Sequence, residues 1–83
     1  MHDRAGEVAR LGLAARRRRE ELGPTQQETA ELAGVAVRTV HAVEAGKATI
    51  QLDALLSVLS AVGLQFVVAR GSSGTRLVVG DTL

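Results

Sequence analysis

The 83-residue sequence contains no cysteine, tryptophan or tyrosine, and Phe66 is its only aromatic residue. The lack of cysteine excludes disulfides and thiolate metal sites, and it fits a reducing cytoplasm. The apolar 46% of the chain consists mainly of Ala, Val and Leu. A core of small aliphatic side chains with one aromatic ring is thin, so we expect a partner subunit to add stability to this single short domain.

The sequence also lacks a long hydrophobic run and a large net charge. No run of about 18 apolar residues occurs, which predicts no membrane-spanning helix. The charged first ten residues lack the apolar stretch of a signal peptide, so we expect a cytoplasmic protein. Ten Lys and Arg against nine Asp and Glu give a net charge of +1, which excludes a general polycation. Arg16–Arg19 nevertheless form a local basic block.

Helical periodicity accounts for most of the chain. The first predicted helix carries Gly12 at a cost of up to about 1 kcal/mol relative to Ala, and it ends at "GP". Thr25 and Glu28 form a capping box in front of the second helix, and Gly34 suits the left-handed conformation at its end. The fourth has an apolar stripe of Leu52, Leu55, Leu56, Leu59 and Val62. The predicted helices cover residues 7–22, 26–33, 37–44 and 52–62.

The character of the sequence changes after Gly63. The segments "LQFVVAR" and "TRLVV" are short, rich in Val and Leu, and separated by "GSSG", which predicts two strands and a turn. An isolated two-stranded hairpin is marginal in water, so we expect pairing with a second chain, although the sequence leaves pairing within one chain open. We divide the chain into a helical domain, 1–63, and a dimerisation segment, 64–83. The expected dimerisation residues are Leu64, Phe66, Val67, Val68, Leu77, Val78 and Val79.

The stretch "QQETAELAGVAVRTVHAVEAG", residues 26–46, has the pattern of a helix-turn-helix. Ala30 is small where the helices cross, Gly34 lies in the turn, and the docking positions are apolar (Ala33, Val35, Val40 and Val43). With "TQ" before it and "EAGK" after it, this set resembles the Cro and repressor (XRE) family over residues 10–70. Thr29 departs from the family, which usually has Leu there. The resemblance implies a mainly α, four-helix, lambda-repressor-like DNA-binding domain.

The four helices followed by "LGLQFVVA" look most similar to HipB-type antitoxins within that family. This resemblance implies a homodimer whose C-terminal strands form a β-lid, and a repressor of its own operon. It also implies a HipA-type serine/threonine kinase toxin as the second partner. The second strand, "TRLVV", goes beyond the single strand expected of such a lid.

The third helix carries the residues expected to read DNA. Arg38 lies near its start, where an Arg can make a bidentate contact to guanine worth about 1–3 kcal/mol of discrimination, and the alternative is a solvated surface residue. Val37 and Ala42 can offer only apolar contacts, and Thr39 and His41 can approach phosphates or bases. The family resemblance implies that Gln26 contacts a DNA phosphate. The full set of expected DNA-binding residues is Gln26, Gln27, Val37, Arg38, Thr39, His41, Ala42, Lys47 and Arg16.

The arginine block cannot face a single phosphate, because it covers more than one helical turn. Arg16 and Arg19 share a face. The family resemblance implies that one such arginine pairs with the acid of the third helix, here Glu44, so Arg19 is expected either to pair with it or to face DNA. Arg17 and Arg18 are expected to be solvated.

The sequence offers no basis for an enzyme, a metal site or a cofactor. There is no cysteine nucleophile, Ser57 and Ser60 have no base beside them, and "GSSG" lacks the following Lys-Ser/Thr and helix of a phosphate cradle. His41 has no further metal ligands near it in sequence. The expected partners are a palindromic operator in double-stranded DNA, a second copy of the chain and a kinase toxin. Two alternatives are a plain XRE regulator without a toxin and a protein-interaction module that does not bind DNA.

Overall fold

A computed structural model of the chain describes residues 4–68 and 75–79. The four predicted helices are confirmed, although α1 begins three residues earlier and α4 ends one residue earlier than expected. Two strands follow α4 and form one antiparallel sheet. The elements in chain order are α1 (Arg4–Leu22), α2 (Gln26–Ala33), α3 (Val37–Glu44), α4 (Leu52–Ala61), β1 (Leu64–Val68) and β2 (Thr75–Val79).

The capping box predicted at the start of α2 is present. The Glu28 amide donates to the Thr25 hydroxyl at 3.0 Å, and the Thr25 amide donates to a Glu28 carboxylate oxygen at 2.8 Å. Gly34 ends α2 with a φ of 72°, which turns the chain toward α3. Thr29 is buried in place of the expected leucine, and its hydroxyl donates to the Thr25 carbonyl at 2.9 Å. This bond compensates for the polar atom in the core.

The core is formed by side chains from all four helices and from β1. The predicted apolar stripe of α4 is partly wrong, because Leu52 and Leu56 are 62% and 39% exposed. Val58 replaces them, since positions 55, 58, 59 and 62 follow the i, i+3, i+4, i+7 spacing of one helix face. The buried apolar residues are Ala15, Ala30, Val40, Val43, Leu55, Val58, Leu59, Val62 and Leu64.

Gly12 has a packing role that periodicity did not reveal. It is buried where α1 crosses the end of α3, and a β-carbon there would overlap the Val43 carbonyl oxygen. Gly46 lies at the same crossing, because a β-carbon added to it would lie 2.7 Å from the Ala9 Cα. Two glycines therefore let the backbones of α1 and the α3 terminus approach closely.

The two strands pair with each other inside the chain, with Leu64 opposite Val79 and Phe66 opposite Leu77. Leu64 is 2% exposed and belongs to the core, and Phe66 packs against it. The dimeric lid stays a prediction. The side chains of Val68, Leu77, Val78 and Val79 lie outside the described residues. Among the helices of the described ranges, none is long and apolar enough to span a bilayer.

Candidate nucleic-acid interface

The α2–α3 pair presents one face of α3 to solvent. On the inner face, Val40 and Val43 are fully buried, and Ala30 of α2 is 1% exposed. On the outer face, Arg38 and His41 are exposed three residues apart. Because the inner side is fixed by packing, the helix can enter a groove without rearrangement of the core.

The predicted contact residues differ in exposure. Five of them are exposed, so a ligand can reach their polar groups: Arg16, Gln27, Arg38, His41 and Lys47. The others are half-buried, and Val37 packs against the core, so it also has a structural role. The half-buried residues are Gln26, Val37, Thr39 and Ala42.

A pocket of about 360 Å³, which we call the interface pocket, lies where α1, α2 and α3 meet. It brings together Arg16, Gln26 and His41, three of the predicted contact residues from three different helices. The remaining predicted residues lie outside its lining. The pocket lining is completed by Arg19, Glu44 and Ala45.

Arg19 and Glu44 form an ion pair at the base of this pocket. The Arg19 Nε donates to Glu44 Oε2 at 2.6 Å and its Nη2 donates to Oε1 at 3.2 Å. Their side chains are only 13% and 5% exposed. The hydrogen bond that Arg19 donates to Glu44 raises the pKa of the Arg19 guanidinium above its ordinary value. Of the two roles considered for Arg19, the structure supports the pairing that joins α1 to α3.

Gln26 and Pro24 complete this network. The Arg19 Nη1 donates to the Pro24 carbonyl at 3.1 Å, and the Gln26 side-chain amide donates to Glu44 Oε1 at 3.0 Å. A glutamine NH₂ has two hydrogens, so one remains for a phosphate oxygen. The Gln26 amide group is therefore held in place at the start of α2 by the same carboxylate that anchors α3.

Two other arginines of the basic block, Arg16 and Arg18, have separate partners. Arg16 approaches Glu20 at 3.5 Å on the exposed surface of α1. The prediction that Arg18 is solvated is wrong, because its Nε donates to the Val62 carbonyl at 3.2 Å and its side chain is 27% exposed. Arg18 thus caps the C-terminal end of α4, while Arg17 is exposed as expected.

Sequence reasoning missed Ala45 and Gly46 at the end of α3. Ala45 is exposed and lines the pocket, and the i, i+3, i+7 spacing from Arg38 through His41 could have identified it. Gly46 has a φ of 72° and reverses the chain, so that the Lys47 amide donates to the Ala42 carbonyl at 3.0 Å. This turn fixes where Lys47 follows α3.

Metal binding finds no support in the described part of the chain, where no group of three His, Cys, Asp or Glu residues could hold an ion.

A protein-family model described as helix-turn-helix, of the XRE type, matches residues 16–67, well over half of the chain. No curated protein and no solved structure matches this chain. The matched segment runs from α1 into β1 and contains the whole candidate interface. The chain therefore belongs to the XRE-type helix-turn-helix family, and the match indicates a DNA-binding regulator.

Proposed function

We propose that the protein is a sequence-specific transcriptional repressor that inserts α3 into the DNA major groove. The observation that carries the proposal is the outer face of α3, where Arg38 and His41 are exposed while Val40 and Val43 are fully buried. Arg38 can donate two hydrogen bonds to guanine O6 and N7, and His41 can donate to a base or a phosphate. The apolar surface of Ala42 suits a thymine methyl group.

Phosphate contacts would come from the groups around α3. The N-terminus of α2 attracts anions, and Gln26 and Gln27 lie on its first turn. Arg16 of α1 lines the interface pocket together with Gln26, and Lys47 lies in the loop that follows α3. Such contacts orient the protein on the duplex and make affinity depend steeply on salt, by about 0.9 in log–log slope for each phosphate neutralised.

A homodimer would bind a palindromic operator with half-sites about 34 Å apart. The hairpin of β1 and β2 supports this part of the proposal, because two strands alone are marginal and a second copy could extend the sheet into a lid. Sedimentation of the full chain against a Phe66→Ser variant tests it. The lid requires that the substitution weakens the dimer, and an unchanged dimer would rule out β1 as its interface.

The specific biological role that we propose is that of a HipB-type antitoxin, which represses its own operon and binds a HipA-type kinase toxin. Its support is the strand segment that follows α4 directly, with Leu64 packed into the core. The sequence of the adjacent gene is the first test. If that gene encodes a kinase, co-expression should yield a complex that survives purification. A neighbour of another kind leaves the plain XRE regulator as the better description.

The decisive experiment measures binding to the DNA upstream of the gene and to random DNA at two salt concentrations. A regulator should prefer its upstream fragment at both concentrations and lose affinity for both fragments at high salt. Equal affinity for the two fragments contradicts sequence-specific repression.

A protein-interaction module is the second candidate, and one observation favours it. Apart from Arg38 and His41, the outer face of α3 offers only short side chains to a groove. The same binding experiment decides between the two functions, because an interaction module would not bind either DNA even at low salt.

A further inference from the structure

The described helices differ in their positive charge, and DNA binding does not account for this difference. In the described helices, α2 and α4 carry acids and no Lys or Arg, whereas α1 and α3 carry the helical arginines. Among the residues whose burial the structure describes, five large hydrophobic side chains are exposed, and three of them are the leucines of α2 and α4, at positions 32, 52 and 56. An exposed apolar patch of this kind marks an interaction surface when its surroundings are polar.

We define the α2–α4 groove as a depression of about 510 Å³ lined by Leu32, Ala33, Leu56, Ser57, Ser60 and Ala61. None of these side chains is charged. Glu28 lies one helical turn before Leu32, and Asp53 lies one turn before Leu56 and Ser57, so an acid stands at the edge of each wall. The groove therefore suits an apolar side chain that is accompanied by positive charge.

The chain itself contains a surface of this chemistry, the α1 ridge, formed by Arg10, Leu13 and Arg17. At 100° per residue, these three positions fall within about 60° of one another on the helix. All three are exposed, and Leu13 is 43% exposed. Within the described ranges, neither Arg10 nor Arg17 has an ion-pair partner, unlike Arg16 and Arg18 of the same helix.

We propose that the α1 ridge of one copy docks into the α2–α4 groove of another, so that copies associate head to tail. Leu13 would lie between Leu32 and Leu56, and the two ridge arginines would approach Glu28 and Asp53. Pairing of groove with groove is disfavoured, because it would place acids opposite acids. In the head-to-tail arrangement, a docked pair still has one free ridge and one free groove, so the contact is heterologous and can repeat from copy to copy.

The consequence is cooperative occupation of neighbouring DNA sites. The ridge leaves the α3 face unobstructed, because Arg16, which lines the interface pocket, lies on the other flank of Leu13 from Arg10 and Arg17. Copies bound side by side could then contact one another as well as DNA. The association itself needs no DNA, so it can succeed or fail independently of the proposed function.

The test uses sedimentation velocity of the full chain without DNA, as a function of protein concentration and salt. The ridge variant is Leu13→Ser, the groove variant is Leu32→Ser, and the matched control is Leu22→Ser, another exposed leucine of α1 that lies outside both surfaces. These positions are 43%, 70% and 53% exposed, so the fold should tolerate all three substitutions. Circular dichroism checks that each variant is folded.

The wild type and Leu22→Ser should form species that grow with concentration and shrink at high salt. Leu13→Ser and Leu32→Ser should each weaken this association by about tenfold or more, since each removes a buried apolar contact. An equimolar mixture of the two weakened variants should form heterodimers, because one retains the groove and the other the ridge. This recovery distinguishes contact between unlike surfaces, ridge to groove, from the pairing of like surfaces.

Three results would overturn the proposal. One is a wild type whose sedimentation does not change with concentration. Another is loss of association in only one of the two variants, which would mean that the groove and the ridge bind different partners. The third is a mixture that fails to form heterodimers, which would indicate that like surfaces pair with one another.

Discussion

The Arg19 guanidinium lies 2.6 Å from the Glu44 carboxylate and ties α1 to the end of α3. Glu44 also accepts from the Gln26 side chain at 3.0 Å, so one carboxylate connects the three helices that surround the interface pocket. Because both charged side chains are largely buried, the pair acts on the position of α3 more than on the surface charge.

The first prediction concerns this pair. Arg19→Ala leaves Glu44 largely buried without its main partner, so the free energy of unfolding should fall by about 2 kcal/mol, between the values for exposed and fully buried pairs. Urea unfolding measures this loss of free energy. Arg17→Ala is the control, because Arg17 is exposed on the same helix, and it should stay within about 0.5 kcal/mol of the wild type. Equal effects of the two substitutions would contradict a structural role for Arg19.

The second prediction concerns the contact between α1 and α3. Gly12→Ala should destabilise the protein by about 3 kcal/mol, even though Ala is the better helix former by about 1 kcal/mol, because the new methyl group would overlap the Val43 carbonyl. Gly34→Ala is the comparison. A β-carbon at Gly34 would meet no other atom, so the substitution should cost only the strain of a left-handed φ in alanine, about 1–2 kcal/mol. Thermal unfolding should rank Gly12→Ala as the less stable variant. A stabilised Gly12→Ala variant would disprove the close backbone approach.

The third prediction concerns acid pH. The hydrogen bonds from the Thr25 amide and hydroxyl group of the capping box lower the pKa of Glu28 in the folded chain. Its contribution is therefore present above the ordinary pKa of an unfolded glutamate, about 4.3, and it is lost as the pH falls through the lower folded-state pKa. Glu28→Gln keeps an acceptor oxygen without a titrating group, so its melting temperature should decline less between about pH 5 and pH 3.

The control for this titration is Glu31→Gln, which changes an exposed acid of α2 outside the capping box. Its melting temperature should follow the wild type across the same pH range. If Glu28→Gln and Glu31→Gln give the same pH dependence, the capping box does not contribute to acid stability.

Local signals in the sequence predicted much of the fold. Thr25, Glu28 and Gly34 act within a few residues of themselves, so the start and end of α2 followed from short-range chemistry. The docking residues Val40 and Val43 followed from the apolar positions of the helix-turn-helix pattern, and the structure buries both. The family match over residues 16–67 agrees with the helix-turn-helix identified from these residues.

Features that depend on contacts between distant elements could not be predicted in the same way. Gly12 reads as an unfavourable helix residue until α3 is packed against it, and Arg18 reads as solvated until the end of α4 lies beside it. Leu56 fits the apolar period of α4, yet it faces the α2–α4 groove instead of the core. In each case the missing information is the direction in which a neighbouring helix crosses.

The last prediction separates base reading from phosphate binding. Arg38→Ala should lower the preference for the upstream DNA over random DNA by about 1–3 kcal/mol, or roughly 5- to 160-fold, because it removes a bidentate contact to guanine. Lys47→Ala should weaken both DNAs to a similar extent and reduce the log–log salt slope by about 1, because it removes a phosphate contact. Competition binding at several salt concentrations measures both quantities.

Each of these two variants serves as the control for the other. Both substitutions remove one positive charge from an exposed position, in α3 for Arg38 and just after α3 for Lys47, so the loss of charge alone cannot explain a difference between them. If Arg38→Ala weakens the two DNAs equally and lowers the salt slope as Lys47→Ala does, Arg38 binds phosphate. Sequence choice would then rest on His41, Thr39 and the apolar contacts of α3, and His41→Ala should reduce the preference instead.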